Sequence, residues 1–395
     1  MPILPFPLLP IAFLTGIFYL NFVSRVILGP FLPVIERELG LGHGGAGSLF
    51  LFIQLGYASG LLSSGLVSWR FTHRRTITAS TIAVGISMIG LSRCASLWEI
   101  RLGLVFLGAA AGLYLPTAIA TITHLVNEAH WGKAFAVHEL APSLGYITAP
   151  LLTEALFAAV SWRSVLAVVG VGAILLGGCF ALWGKGRDVP GEAPRIHTMA
   201  RVLRDPSVLV MAFLFAVAVG ASMGAYTMYP LFLVSEIGLS LPAANTITGL
   251  SRVSSLAVVL CAGWLTDRVG ERRTLVLALT TAGVLTLGLG LFPGPTVTPV
   301  FIFLQSAAVV LFFPPAFTAI ARLVPAHLRN LAISIVAPIG SIIGAGVVPA
   351  AIGYLAEAAS FSLSFVLLGA VITASPLLLR LPYRAGRARP RKVRP

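Results

Sequence analysis

The sequence is short of acid, of cysteine and of charge altogether. Thirteen Asp and Glu stand against 27 Lys and Arg, and charged residues make up 10% of the 395 positions. A soluble domain carries about 25%. The remainder is 57% hydrophobic, with a mean hydropathy of +0.95. No soluble core could bury that much apolar surface, so a soluble globular protein is excluded. The three cysteines, Cys94, Cys179 and Cys261, lie in or beside apolar segments without a pairing pattern. They give neither a disulfide framework nor a metal site. The seven histidines are scattered, and neither HExxH nor GxSxG occurs, which leaves a membrane enzyme without a metal cluster or a nucleophile. A sensor would usually add a soluble domain, and the longest connection is 185–206. The opening MPILPFPLLP has no basic n-region, so no cleavable signal is expected.

What the chain does have is hydrophobic length. Apolar windows able to cross about 30 Å of hydrocarbon run at 9–34, 45–68, 76–93, 98–121, 134–158, 163–184, 207–234, 243–265, 274–292, 298–321, 330–356 and 361–381. The expected fold class is an all-α polytopic membrane protein with twelve transmembrane helices. Cations crowd one side: RFTHRR at 70–75, Lys185, Arg187, Arg195, Arg201 and Arg204 in the central connection, RVGERR at 268–273, and the tail RAGRARPRKVRP. The opposite loops hold few, such as Arg37, Arg93 and Arg163. The positive-inside rule then places both termini and the central connection in the cytoplasm, with the protein in the inner (plasma) membrane. The net charge of +14 reads as a topology signal with some contact to anionic lipid, not as a nucleic-acid surface.

The chain also repeats itself. GLVSWRFTHRR from Gly65 and GWLTDRVGERR from Gly263 are 198 residues apart, as are PTAIATITHLV from Pro116 and PPAFTAIARLV from Pro314. The expected domains are a six-helix bundle over 1–184, a basic cytoplasmic linker over 185–206, a second six-helix bundle over 207–381 and a basic tail over 382–395. Two parallel halves joined by a linker are the layout of a rocking transporter with its site between them.

GWLTDRVGERR resembles the cytoplasmic loop signature of the major facilitator superfamily, Gly-x-x-x-Asp-Arg-x-Gly-x-Arg-Arg. Gly263, Asp267, Arg268, Gly270, Arg272 and Arg273 match it. The resemblance implies two pseudo-symmetric bundles, alternating-access transport, and a gating role for the motif. In that role Asp267 would face the N-terminus of the fifth span and latch one state; the alternative is a basic loop that only fixes topology. The N-terminal copy departs from the pattern, with Trp69 in place of the acid and Thr72 in place of the second glycine. The fifth span carries APSLGYITAP at 141–150 instead of the Gly-Pro-rich stretch of proton-driven drug exporters. In the fourth span, the small residues of RLGLVFLGAAAG from Arg101 read as tight helix packing, with Arg101 snorkelling or paired with Glu99.

Two arginines are placed where charge is expensive. Arg25 lies about 24 Å along the first span, and Arg252 about 22 Å above the inner face in the eighth, so they reach similar depth. The run from Arg25 to Pro33 resembles the first helix of organic-phosphate and other anion:cation symporters. An arginine on the eighth helix resembles the monocarboxylate and oxalate carriers. Neither has a carboxylate nearby in sequence, and both present planar forks suited to a carboxylate or phosphate. The alternatives are that Arg25 snorkels outward or caps carbonyls and that Arg252 pairs with Glu154. Asn21, Gln54, Tyr57, Tyr114, Tyr146, Tyr226 and Tyr229 are the further candidates for the substrate cavity. Gln54 occupies the repeat position of Arg252, and each tyrosine could instead pack its ring. FFPP at 312–315 and YLP at 114–116 should kink their helices. His138, Glu139 and Glu154 are the candidates for proton coupling, because burial suits a carboxylate to proton exchange. The expected function is proton-coupled transport of a small organic anion, a carboxylate or phosphate ester. The alternative is proton-driven efflux of amphipathic drugs or metabolites. The expected partners are the anion, a proton and membrane lipid, with no nucleic acid, metal or cofactor, and a monomer is expected.

Overall fold

The computed structural model describes residues 7–157, 159–185, 205–324 and 329–380. Nearly all of the 185–206 linker and the whole 382–395 tail lie outside the described residues. The rest is helical, with no strand among the described residues. The first half holds α1 (Leu8–Leu39), α2 (His43–Phe71), α3 (His73–Leu91), α4 (Leu97–Leu125), α5 (Trp131–His138, continued as Leu140–Phe157) and α6 (Trp162–Trp183). The second holds α7 (Pro206–Ser235), α8 (Leu241–Val269), α9 (Glu271–Leu291) and α10 (Val297–Val310, continued as Phe313–Leu323). It closes with α11 (Arg329–Gly340, then Ser341–Val347 and Val348–Ala358) and α12 (Phe361–Arg380). Among the described residues, nine helical stretches are long and apolar enough to cross a membrane. They lie in α1, α2, α4, α6, α7 and α9 to α12. α3 opens on His73-Arg74-Arg75, α5 is broken at Glu139, and α8 carries Arg252 among serines and threonines. These three do not meet the measure, so the expected count of twelve is not reached on length and apolarity alone.

Small residues set the helix spacing. A Cβ on Gly56 of α2 would lie 2.1 Å from the Val105 carbonyl oxygen of α4, and one on Gly108 would lie 2.1 Å from that of Ile53. The glycines of the fourth span thus serve packing. Arg101 does not pair with Glu99. It donates to Ser48 Oγ at 3.2 Å, while Glu99 closes a capping box with Ser96. α10 breaks at Leu311–Phe312, just ahead of Pro314 and Pro315, and α4 turns at Leu113, ahead of Pro116.

The repeated loops share a backbone conformation that only one of them suits. Gly270 has φ +90° and ψ 148°; Thr72, at the equivalent position, has φ +77° and ψ 155°. A β-branched residue is strained there, by about 1–3 kcal/mol, although Thr72 Oγ1 accepts from the Arg75 amide at 3.5 Å. Thr72→Gly should therefore raise the melting temperature in detergent and Gly270→Ala should lower it. Equal Tm values for all three proteins would refute the strain.

The halves touch at the end opposite the basic loops. There the Gly44 amide of α2 donates to Glu357 of α11 at 3.0 Å, and Gly47 packs on the Pro349 backbone. Toward the basic loops they part around a cavity of about 390 Å³.

Candidate functional site

Arg252 forms one wall of that cavity, 3% exposed. Its Nη2 donates to the Ser222 carbonyl at 2.5 Å, and its Nη1 to Ser222 Oγ at 3.3 Å. Ser222 sits in a π-helical turn of α7, Gly220–Gly224, where small residues let the helix widen and turn a carbonyl toward α8. The guanidinium carbon lies 4.4 Å from the Tyr146 ring centroid and 4.7 Å from that of Tyr226. Tyr226 donates its hydroxyl to the Tyr146 carbonyl at 2.6 Å. This bond and the ring contact between them, 4.7 Å between centroids, join α7 to α5 across the two halves. Rings and backbone hold Arg252, yet its Nε is buried without a hydrogen-bond partner.

Arg25 lies behind the same aromatic layer. Its guanidinium carbon sits 4.0 Å from the Tyr57 ring centroid and 5.2 Å from that of Phe22, whose ring meets Tyr146 at 4.6 Å. The residue is 5% exposed, its Nε has no partner, and among the described residues it forms no hydrogen bond or ion pair. Arg25, Phe22, Tyr146 and Arg252 therefore form a row through the inter-half surface. Glu154 does not neutralise Arg252; it accepts from Asn245 Nδ2 at 3.1 Å. Two buried cations without a carboxylate are costly, and cation–π contact offsets only about 2 kcal/mol each. An anion between the halves would supply the missing charge.

Other candidates point elsewhere. Asn21 ties α1 to α4, donating to the Ala111 carbonyl at 2.9 Å. Tyr229 donates to Gln305 Oε1 at 2.9 Å, inside the second half. Tyr114 donates to the Leu14 carbonyl at 2.6 Å and meets His138 Nε2 at 3.0 Å, inside the first. Gln54 accepts a short hydrogen bond from Ser341 of α11, so it bridges the halves away from the cavity, and its Nε2 is left unpartnered. Glu139 lines the cavity mouth, its side chain 61% exposed. In the loop motif, Gly263 lies within α8, Asp267, Arg268 and Arg273 are exposed, and Arg272 donates to the Leu379 carbonyl at 2.7 Å. Asp267 forms no hydrogen bond or ion pair among the described residues. The described residues hold no group of His, Cys, Asp and Glu suited to a metal.

Sequence reasoning missed the apolar wall of the cavity that Arg252 lines. Phe215 of α7 meets Phe313 at 5.8 Å and Phe317 at 5.6 Å between ring centroids, and all three line the cavity. The spacing of Phe313 and Phe317, four apart on one helix face, was the available signal.

The family model described as Major Facilitator Superfamily matches residues 14–302 and 211–395. A cis,cis-muconate transport protein of Acinetobacter baylyi is 25% identical over 383 residues, 87% of this chain and 86% of that protein. An arabinose-proton symporter of Escherichia coli K12 is 28% identical over 163 residues, 39% of this chain and 34% of that protein. Among solved structures, a bacterial homolog to the human lysosomal transporter Spinster, in an inward-facing and occupied conformation, superposes with a TM-score of 0.79. It shares 16% sequence identity and covers 96% of this chain and 97% of its own.

Proposed function

The chain belongs to the Major Facilitator Superfamily, and we propose that this transporter carries a small organic anion by alternating access together with a proton. Membership makes it an integral membrane transporter and not an enzyme. The observation that carries the anion reading is the pair of buried guanidiniums, Arg25 and Arg252, on opposite halves and without an ion pair to a carboxylate among the described residues. Similarity to a muconate transport protein agrees with an anionic cargo, and similarity to an arabinose-proton symporter agrees with the proton. In this proposal α3, α5 and α8 cross the membrane with the rest, making twelve passes in two halves, 1–184 and 207–381. Both termini and the basic linker face the cytoplasm of the inner membrane, the cavity opens to that side, and the protein works as a monomer among lipids. Asp267, free in this arrangement, would engage the first half when the inner side closes.

Two measurements test the reading. Ligands that bind only the folded state stabilise it by RT ln(1 + [L]/Kd), about 2.7 kcal/mol at a hundredfold excess over Kd. A thermal-shift screen of purified protein should find its strongest stabilisers among carboxylates or phosphate esters. Stabilisation by cationic amphiphiles alone would favour the second reading, drug efflux, for which the Phe215–Phe313–Phe317 wall is the supporting feature. For topology, tags at residue 195 and at both termini should be shielded from an external probe in intact cells. Labelling at 195 from outside would reverse the orientation.

A further inference from the structure

His138 is fully buried at the point where α5 breaks, and its two ring nitrogens are not equivalent. Tyr114 has one hydroxyl proton, and it is donated to the Leu14 carbonyl of α1 at 2.6 Å. The 3.0 Å contact between Tyr114 and His138 Nε2 must therefore be an Nε2–H donating to the tyrosine oxygen. In the neutral ring this leaves Nδ1 as a bare lone pair. That atom is buried without a hydrogen-bond partner, 3.8 Å from the Glu139 carboxylate. Two aromatic rings pack on it: the Phe18 ring of α1 stacks at 4.5 Å and the Tyr114 ring of α4 at 5.9 Å. A ring held in one tautomer, with its acceptor kept empty beside an acid, is built to take a proton at one atom.

Glu139 connects that atom to the cargo site, because Glu139 and Arg252 line the same cavity. While Glu139 is an unpaired anion at the mouth, it repels an incoming anion and opposes the pull of Arg252. The geometry points to His138 as the seat of the coupling proton: a proton on Nδ1 pairs with Glu139 and removes the negative charge that guards the cavity against an anion. This inference rests on the proposed cargo being an anion that moves with a proton. It adds an order of events, in which proton binding on the first half precedes anion binding between the halves. Coupling then needs no contact between proton and cargo, only their shared neighbour Glu139.

Three proteins decide it: wild type, Glu139→Gln and His138→Gln, whose amide nitrogen replaces Nε2 as donor to Tyr114 but offers nothing at Nδ1. With ¹⁵N-histidine in lipid nanodiscs, the signal lost in His138→Gln should show an Nε2–H tautomer at alkaline pH. An Nδ1–H tautomer overturns the inference. Binding is then measured with cis,cis-muconate, benzoate and glucose 6-phosphate as probes from pH 5.5 to 8.5. Wild-type affinity should weaken with rising pH by up to about tenfold per unit, as linkage to one proton requires. Glu139→Gln should hold the acid-side affinity throughout, and His138→Gln the alkaline-side affinity. Wild-type affinity independent of pH, or Glu139→Gln behaving like His138→Gln, overturns the coupling role while leaving anion transport intact. Failure of wild type to bind any of the three probes at any pH counts against the anion reading itself, and the tautomer is still decided by the nitrogen signal.

Discussion

Replacing Arg252 by lysine should weaken anion binding by roughly ten- to a hundredfold, and alanine should do worse. Lysine keeps the charge but loses the fork that holds the Ser222 carbonyl and Ser222 Oγ while Nε stays free. A charge-assisted hydrogen bond is worth about 1.5–3 kcal/mol, which gives that range of affinity. The two arginines should differ in how they fail. Arg252 already lines the cavity, whereas Arg25 is held behind it on the Tyr57 and Phe22 rings. Arg25→Lys should therefore spare much of the first binding step and cut translocation, because Arg25 reaches the anion only as the inner side closes. The double mutant should be non-additive, since one ligand shares both groups. The measurements are equilibrium binding in detergent and exchange in proteoliposomes. Wild-type affinity in Arg252→Lys, or a best ligand that is cationic, would remove the basis of the proposal.

That experiment turns on a difference that sequence alone did not carry. The class, the helical architecture and the pseudo-repeat were legible because they follow from composition and from a 198-residue offset, which survive any detail of packing. That Arg25 and Arg252 meet one aromatic layer follows from the same source, since a helix rises at a fixed rate per residue. What failed was rotation about the helix axis. Tyr114 and Tyr229 sit on the expected helices, but each turns its hydroxyl into its own half, toward Leu14 and Gln305. A hydroxyl takes whichever buried acceptor the packing offers, and no pattern in the chain states that choice. The π-helical turns at Gly220–Gly224 and Ser341–Val347 were equally invisible. They shift the register of α7 and α11 and decide that Ser222 meets Arg252 and Ser341 meets Gln54. Small residues permit such turns without requiring them. α8 falls short of the measure of length and apolarity because it is polar along the buried face that carries Arg252.

Substituting Gly47 by valine should trap the transporter open at the end opposite the basic loops. A Cβ there would lie 2.4 Å from the Pro349 carbonyl oxygen and 3.0 Å from its carbon. Those are backbone atoms of α11 and cannot rotate away. Nearby, the Glu357 carboxylate takes the Gly44 amide at 3.0 Å, an acid set at the N-terminus of α2, where the helix dipole favours it. Both contacts join the two halves, so they belong to this arrangement alone and vanish when the halves rock apart. Valine therefore penalises one state and leaves the other untouched, by at least the 1–3 kcal/mol typical of overpacking. That shifts the balance by about five- to a hundredfold or more. Glu357→Gln should act in the same direction more weakly, since it keeps the shape and loses the charge. Spin labels at Leu41→Cys and Ala359→Cys, in a background with the three native cysteines replaced, read the outcome directly. Their separation should lengthen in Gly47→Val, and transport should fall by about the same factor while the protein remains folded. An unchanged separation with full transport would mean that this glycine contact is not the closure on which alternating access depends.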